Sequence, residues 1–269
     1  MRAIDSWVNV TMGEVGKPDY LVRVAEDYFK QADDFFRNYS IEEMLEQMDA
    51  GGVEKAILTT NATAPSPHAL AFVEKFPDRF SLAAQVDPSM LMTSVRALTA
   101  IRRDYPVVLA RITPFYIDRP PTDPCYYPIY ATCCELELPL TINTGIPGPP
   151  APGDCQNPMH LDRVCLDFPE LKLIMAHGAD PWWSVAIRLM LKYRNLYLKT
   201  SAYLPKYFPP ELIHFMNTRG RRKIIFASDH PVIQMTRCLA EAQGLDLRDG
   251  VLDDFLYGNA MRVFFGAAD

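Results

Sequence analysis

Four things are missing from this sequence, and each absence narrows its class. No C-x-x-C pair occurs among the six cysteines. Cys133 and Cys134 are adjacent and Cys165 falls on an apolar helical face, so the thiols read as reduced, cytosolic and mostly packing residues. No apolar run approaches the roughly 20 residues of a membrane span, and Asp5 and Asn9 interrupt the N-terminal stretch where a signal peptide would need continuity. Positive charge is not in excess: the net charge is −6 and the pI about 5.4. That balance argues against nucleic acid or an anionic membrane as partner. Finally, no G-x-G-x-x-G turn follows the first strand, which removes the main sign of a dinucleotide site.

What is present is alternation. A strand over residues 2–5 opens the chain, and strands over 55–60, 80–86, 107–112, 138–143, 171–176, 196–200 and 224–228 are predicted from short apolar runs. Between them the spacing predicts helices over 68–76, 90–103, 128–136, 159–168 and 211–217. Further helices are predicted after Ser40, after Pro181 and over 232–242 and 252–265. Ser40 with Glu43 three residues on forms a capping box. Residues 11–40 are long for a βα connection and read as a lid-like insertion, with helical spacing at 20–36. No composition shift marks a linker, so residues 1–269 are read as one domain. Eight strands alternating with helices predict a closed (β/α)8 TIM barrel, with an open doubly wound sheet as the runner-up.

The organising stretch is Phe168 to Trp183, in which a buried strand ends at His177-Gly178. Ile224 to Pro231 repeats the pattern, ending at Asp229-His230-Pro231. In a barrel the strand ends share one opening whatever their separation in sequence. Asp5, Trp7, Asn9, Thr60, Asn61, Gln85, Asp87, Arg111, Asn143, His177, Lys199, Ser201, Asp229 and His230 should therefore gather there. Individually Asp5, Thr60, Gln85 and Ser201 are as readily explained by bonds to loop backbone.

These segments carry a family likeness. Ile4-Asp5, Gly52-Val53-Glu54-Lys55-Ala56, Phe76-Pro77-Asp78-Arg79-Phe80, Asn143-Thr144-Gly145, Phe168 to Trp182, Ser228 to Pro231 and Tyr257-Gly258-Asn259-Ala260 resemble the amidohydrolase superfamily. Within it they look like the metal-dependent-hydrolase branch that includes aminocarboxymuconate semialdehyde decarboxylase and related decarboxylases and lactonases. The resemblance implies a distorted barrel with its site at the strand C-termini. It also implies metal ligands at positions where this chain holds Trp7, Asn9 and Asn143, while His177 and Asp229 are kept. Amides are weak ligands and indole offers no lone pair. Either the metal is absent or it is not the family's usual zinc, and no organic cofactor is expected.

The expected chemistry is a His177–Asp229 acid/base pair, with His177 carrying the proton. Arg111 is expected to hold a substrate carboxylate, and Asn9 and Asn143 to donate to a developing oxyanion. Trp7 is expected to stack on a planar ring, with Tyr203 and His230 as further substrate contacts. The sequence thus points to a cytoplasmic, metal-independent hydrolase or lyase acting on a small carboxylated cyclic or ring-derived compound, by hydrolysis, hydration or C–C cleavage. A homodimer is compatible with it. The alternative is a catalytically silent barrel that binds a small ligand or scaffolds a partner.

Overall fold

The computed structural model describes residues 2–29 and 35–266. Its eight strands are β1 (Ala3–Val8), β2 (Val53–Asn61), β3 (Phe80–Gln85), β4 (Val107–Ile112), β5 (Leu140–Asn143), β6 (Leu173–Ala176), β7 (Leu196–Lys199) and β8 (Ile224–Ile225). They pair in sequence order and in parallel throughout. Helices α1 (Ile41–Gly51), α2 (Pro67–Lys75), α3 (Met92–Asp104), α4 (Tyr127–Glu135), α5 (His160–Asp167), α6 (Trp183–Lys192), α7 (Pro210–Met216) and α8 (Met235–Ala242) follow the strands in turn, and α9 (Asn259–Phe264) ends the chain's regular structure. This is a (β/α)8 TIM barrel. The local signals are those expected: Ser40 accepts from Glu43 N at 3.1 Å while Glu43 returns a bond to Ser40 N at 2.7 Å, and α1 stops at Gly52 in the left-handed region.

Apolar side chains form two layers. The larger cluster lies between sheet and helices and takes, among others, Met44, Phe72, Leu98, Ile129, Val164, Leu189 and Leu239. The smaller fills the barrel itself: Ile4, Ile57, Ala83, Leu109, Ile174 and Ile225, one from each of six strands, meet Ala260, Val263 and Phe264 of α9. α9 therefore plugs the N-terminal end. At the opposite end a third group, Trp7 with Ala176 and Ala227, closes the packed interior. The site must lie above that layer.

Several expectations change. β8 is two residues long, not five, because residues 226–230 leave the β7 ladder and bond β1: Ser6 N donates to Phe226 O (3.3 Å), Asp229 N to Trp7 O (3.1 Å) and Asn9 N to His230 O (2.7 Å). The helix expected over 252–265 winds wider over Asp254–Gly258 before α9 begins. The helical centre expected at 20–36 is observed as Asp19–Arg23 and Val24–Phe29, and its positions 30–34 lie outside the described residues.

Gly178 shows how tightly the mouth is packed. Its φ is +65°, and a Cβ there would sit 2.2 Å from the Trp183 ring. Gly178→Ala is expected to destabilise the protein by about 2–4 kcal/mol, the left-handed backbone and the overpacking acting together. Thermal melts should show Tm lowered by roughly 5–15 °C for a chain of this size. A variant melting with the wild type would contradict this packing.

Candidate active site

His177 and Asp229 each follow the end of a strand path, and both adopt left-handed backbone, φ 62° and 66°. That turn is unusual for residues other than glycine and lifts each side chain out of the strand direction. His177 N donates to Ser201 Oγ (3.1 Å), and its Nδ1 lies 3.4 Å from Ser201 O and 3.8 Å from Asp229 Oδ2. An Nδ1–H aimed at Ser201 O leaves Nε2 as the bare acceptor nitrogen. Asn9 Nδ2 donates to Asp229 Oδ1 (3.0 Å) and to His230 O (3.3 Å). The two side chains are only 22% and 11% exposed, so they form one screened pair at the mouth.

Arg111, at the end of β4, lies on Trp7. Its guanidinium carbon is 2.8 Å from the indole centroid, and Nη1 donates to Thr59 Oγ1 in a short bond. Trp7 in turn meets His177 edge-on, with ring centroids 4.4 Å apart. The register carries Arg111 towards the pair: Arg111 opposes Thr141 on β5, and Asn143, two residues on, opposes Ala176, which precedes His177. Arg111 Nε and Asn143 Oδ1 are both buried without a hydrogen-bond partner. Unpaired buried groups of opposite kind, one donor and one acceptor, are what a polar ligand would satisfy.

Burial governs the charges. Asp229 is pushed up to about 7 by desolvation, against the opposing pull of Arg111 and the Asn9 bond. His177 is pushed down to about 3, by desolvation first and then by Arg111. Arg111 falls to about 9 through desolvation and stays a cation at neutral pH. His177 is therefore held as a neutral imidazole, and the group whose pKa falls nearest neutrality is Asp229.

Two expectations are corrected by burial. Trp7 is 2% exposed with one face under Arg111, so its ring supports Arg111 and His177 instead of stacking on a substrate. His230 is fully buried, its ring edge-on to Tyr39 at 4.6 Å, and it belongs to the seam between β1 and residues 226–230. Tyr203 packs edge-on to Trp183 at 5.4 Å, and burial pushes its phenol up to about 12. Lys199 lies below the mouth, fully buried, with Nζ 3.2 Å from Ser6 O and 5.1 Å from the Trp7 centroid. Thr60 accepts from Ser66 N, the structural role open to it from the start, and Asn61 accepts from Thr63 N in the same way.

Sequence reasoning missed Thr59, which anchors Arg111, and Tyr116, just after β4. Tyr116 is exposed as a residue, and its hydroxyl is pushed above the usual phenol range by desolvation, with Tyr20, Arg111 and Asp229 close enough to act on it. Tyr20 comes from the β1–α1 insertion, whose Glu14 accepts from Ser66 Oγ after β2 at 2.9 Å. The described part of the insertion thus reaches the mouth end of the barrel. A polar residue ending an apolar strand was the only available signal, and Thr59 lies inside one.

The family model described as amidohydrolase matches residues 4–266, and the chain belongs to that family. A solved TIM-barrel protein from Bordetella bronchiseptica, described as uncharacterized, is 22% identical with a TM-score of 0.81, covering 98% of each chain. The 5-carboxyvanillate decarboxylase of Sphingomonas paucimobilis is 17% identical with a TM-score of 0.73, over 98% of this chain and 99% of that one. A dihydroxybenzoic acid decarboxylase from Polaromonas, solved with manganese and 2-nitroresorcinol, is 18% identical with a TM-score of 0.70, over 99% and 98%. No curated protein matches. Manganese does not fit the residues present here. Among the described residues no group of three or more His, Cys, Asp or Glu side chains is placed to hold an ion, Asp229 Oδ1 is committed to Asn9, and a guanidinium lies on the neighbouring ring.

Asp5 ties the site to the seam. It accepts from Ser228 Oγ (2.5 Å), Ser228 N (3.0 Å) and Trp7 N (3.2 Å), and burial raises it to about 6. Its contribution to stability is fully present below its unfolded value near 4 and is lost as pH rises through about 6. Asp5→Asn should flatten this dependence. Unfolding free energies measured between pH 4 and 7 should show a wild-type decline larger than that of the variant by on the order of 2–3 kcal/mol. Parallel curves would show that Asp5 does not titrate there.

Proposed function

We propose that this chain is an enzyme that adds water to a small, planar, carboxylated ring compound, with a carboxylated lactone as the class of substrate, and that it does so without a metal. The observation that carries the reading is the buried, unpaired Nε–H of Arg111, a residue packed on Trp7 in contact with His177 and electrostatically coupled to Asp229. A desolvated guanidinium donor is suited to a carboxylate, whose anionic form it stabilises.

The roles follow from the charges. His177 Nε2 accepts a hydrogen bond from the attacking water and orients it. Asp229 takes the water's proton as oxygen attacks the ring carbonyl. The ring C–O bond then breaks, and protonated Asp229 returns the proton to the leaving oxygen, giving the ring-opened acid and the starting carboxylate. Asn143, two residues beyond the Thr141 that opposes Arg111, supplies amide hydrogen bonding to the developing oxyanion. Arg111 opposes loss of the carboxylate it holds, because that interaction weakens as charge moves onto carbon.

C–C cleavage of a carboxylated aromatic is the second reading. It is favoured by the decarboxylases among the solved relatives, which are described with 5-carboxyvanillate or dihydroxybenzoate as substrate. Arg111 would then bind a carboxylate other than the one lost.

Turnover by folded variants on a panel of carboxylated lactones and hydroxybenzoates tests both. Asp229→Asn should lose ~10²–10⁴-fold, His177→Asn a similar order, and the double variant little more than the worse single one. Wild-type kcat/KM should rise with pH and level off above about 7, as Asp229 becomes the anion that can act as base. Arg111→Met should raise KM chiefly for carboxylated substrates. Full activity in folded Asp229→Asn would end the proposal, and turnover of hydroxybenzoates alone would select the second reading.

A further inference from the structure

Solved relatives of this fold carry manganese, and in this chain the two side chains that match the family's ligand positions, His177 and Asp229, stand 3.8 Å apart beside a Trp7 ring that Arg111 lies on. We infer that Arg111 is the chain's own fixed cation at this site, and that it excludes a divalent ion in its own right, beyond the mere loss of ligands at positions 7, 9 and 143. The inference rests on the metal-free reading above and adds a cause to it.

Placement comes first. The Arg111 side chain is 7% exposed as a residue and lies over an indole that is itself in edge contact with His177. Guanidinium, indole and imidazole are thus one packed unit, and the charge cannot swing out to solvent without breaking it. Its hydrogen bond is to Thr59, a neutral hydroxyl, and among the described residues it makes no ion pair. Its positive charge is therefore not cancelled at contact range and acts on whatever enters beside it. A cation in a low-dielectric mouth is strongly disfavoured next to another of the same sign.

The surrounding donors add to this. Asp229 spends Oδ1 on the Asn9 amide and turns Oδ2 to His177 at 3.8 Å. Below the ring a second basic group, Lys199, stands 5.1 Å from the Trp7 centroid. An incoming ion would meet one partly committed carboxylate, one imidazole and a guanidinium. Restoring imidazoles alone would leave that charge in place.

Manganese binding to purified, dialysed protein tests the inference, read as metal per chain by elemental analysis and as free Mn(II) by electron paramagnetic resonance. The parent is Asn9→His/Asn143→His, which supplies two imidazoles and leaves Trp7 intact. It is compared with the same pair carrying Arg111→Met, Arg111→Gln or Arg111→Lys. Near-UV circular dichroism establishes that each variant is folded, and the Gln variant serves where the Met variant is not. The inference expects the parent and its Arg111→Lys form to remain well below one manganese per chain. Removal of the charge should bring binding close to one per chain, at least ~10-fold tighter, as loss of an adjacent like charge does. Equal, tight binding with and without Arg111 would overturn it, as would no gain on removing the charge; both leave the metal-free reading standing. One manganese per wild-type chain would overturn the inference and that reading together.

Discussion

Barrel closure between β1 and residues 226–230 is the constraint on which the site depends. β8 contributes only Ile224 and Ile225 to the ladder, too short to hold the sheet closed by regular pairing. The seam is carried instead by one buried carboxylate and a few irregular bonds. Asp5 binds Ser228 through backbone and hydroxyl and reaches back to Trp7 N, while Trp7 O and Asn9 N pair with Asp229 N and His230 O. A register shift in β1 between Asp5 and Val8 falls at the same level. Trp7 and Asn9 on one side and Asp229 on the other are thus set by the joint that closes the barrel. Structure and site share one set of hydrogen bonds.

Desolvation then decides which charges survive. Lys199, Asp229, Arg111 and His177 gather about a single indole, Asp5 binds the backbone of the same Trp7, and burial disfavours the charged form of each. Arg111 withstands this best because its intrinsic basicity is so high that a fall to about 9 leaves it ionised. Its charge then acts on both neighbours in opposite senses: it favours the Asp229 anion and disfavours protonated His177. The outcome is a division of labour that residue types alone do not reveal. Asp229 is poised near neutrality and His177 is held as a neutral imidazole.

The fold was legible because each strand announces itself by an apolar run and each helix by a cap or a spacing. Val107 to Ile112 is bounded as expected, and Ser40 and Glu43 make both halves of their box. The opening strand extends three residues beyond Asp5, to Val8, because the seam recruits Ser6 and Trp7. The approach of His177, Asp229 and Asn9 to one another, with Arg111 reaching His177 through Trp7, follows from the same rule that strand ends share one opening. What was not legible was depth. Trp7, Lys199 and His230 occur at strand ends in sequence, yet Lys199 and His230 are completely enclosed and Trp7 nearly so. Local sequence gives direction along a strand, whereas depth depends on how far neighbouring strands and loops rise beside it. The charge state of His177 was hidden for the same reason: desolvation first, and then Arg111 sixty-six positions away in the chain, lowers its basicity.

Backbone conformation supports the functional weight placed on His177 and Asp229. Both lie in the left-handed region, a placement that costs about 1–2 kcal/mol for a residue with a Cβ. Neither residue lies in the two-residue turn of a hairpin, where such a conformation would serve chain reversal. Each instead stands where a strand path gives way to a connection, and the turn sends its side chain to meet the other at 3.8 Å. A purely structural barrel could relieve both with glycine, as it does at Gly145 and Gly178, where φ is +89° and +65°. Retaining an imidazole and a carboxylate at the two strained positions is intelligible when the pair itself is what the mouth is built to present. The same argument separates them from Thr60 and Asn61, whose polar atoms are satisfied by their own loops and whose backbone stays in the strand.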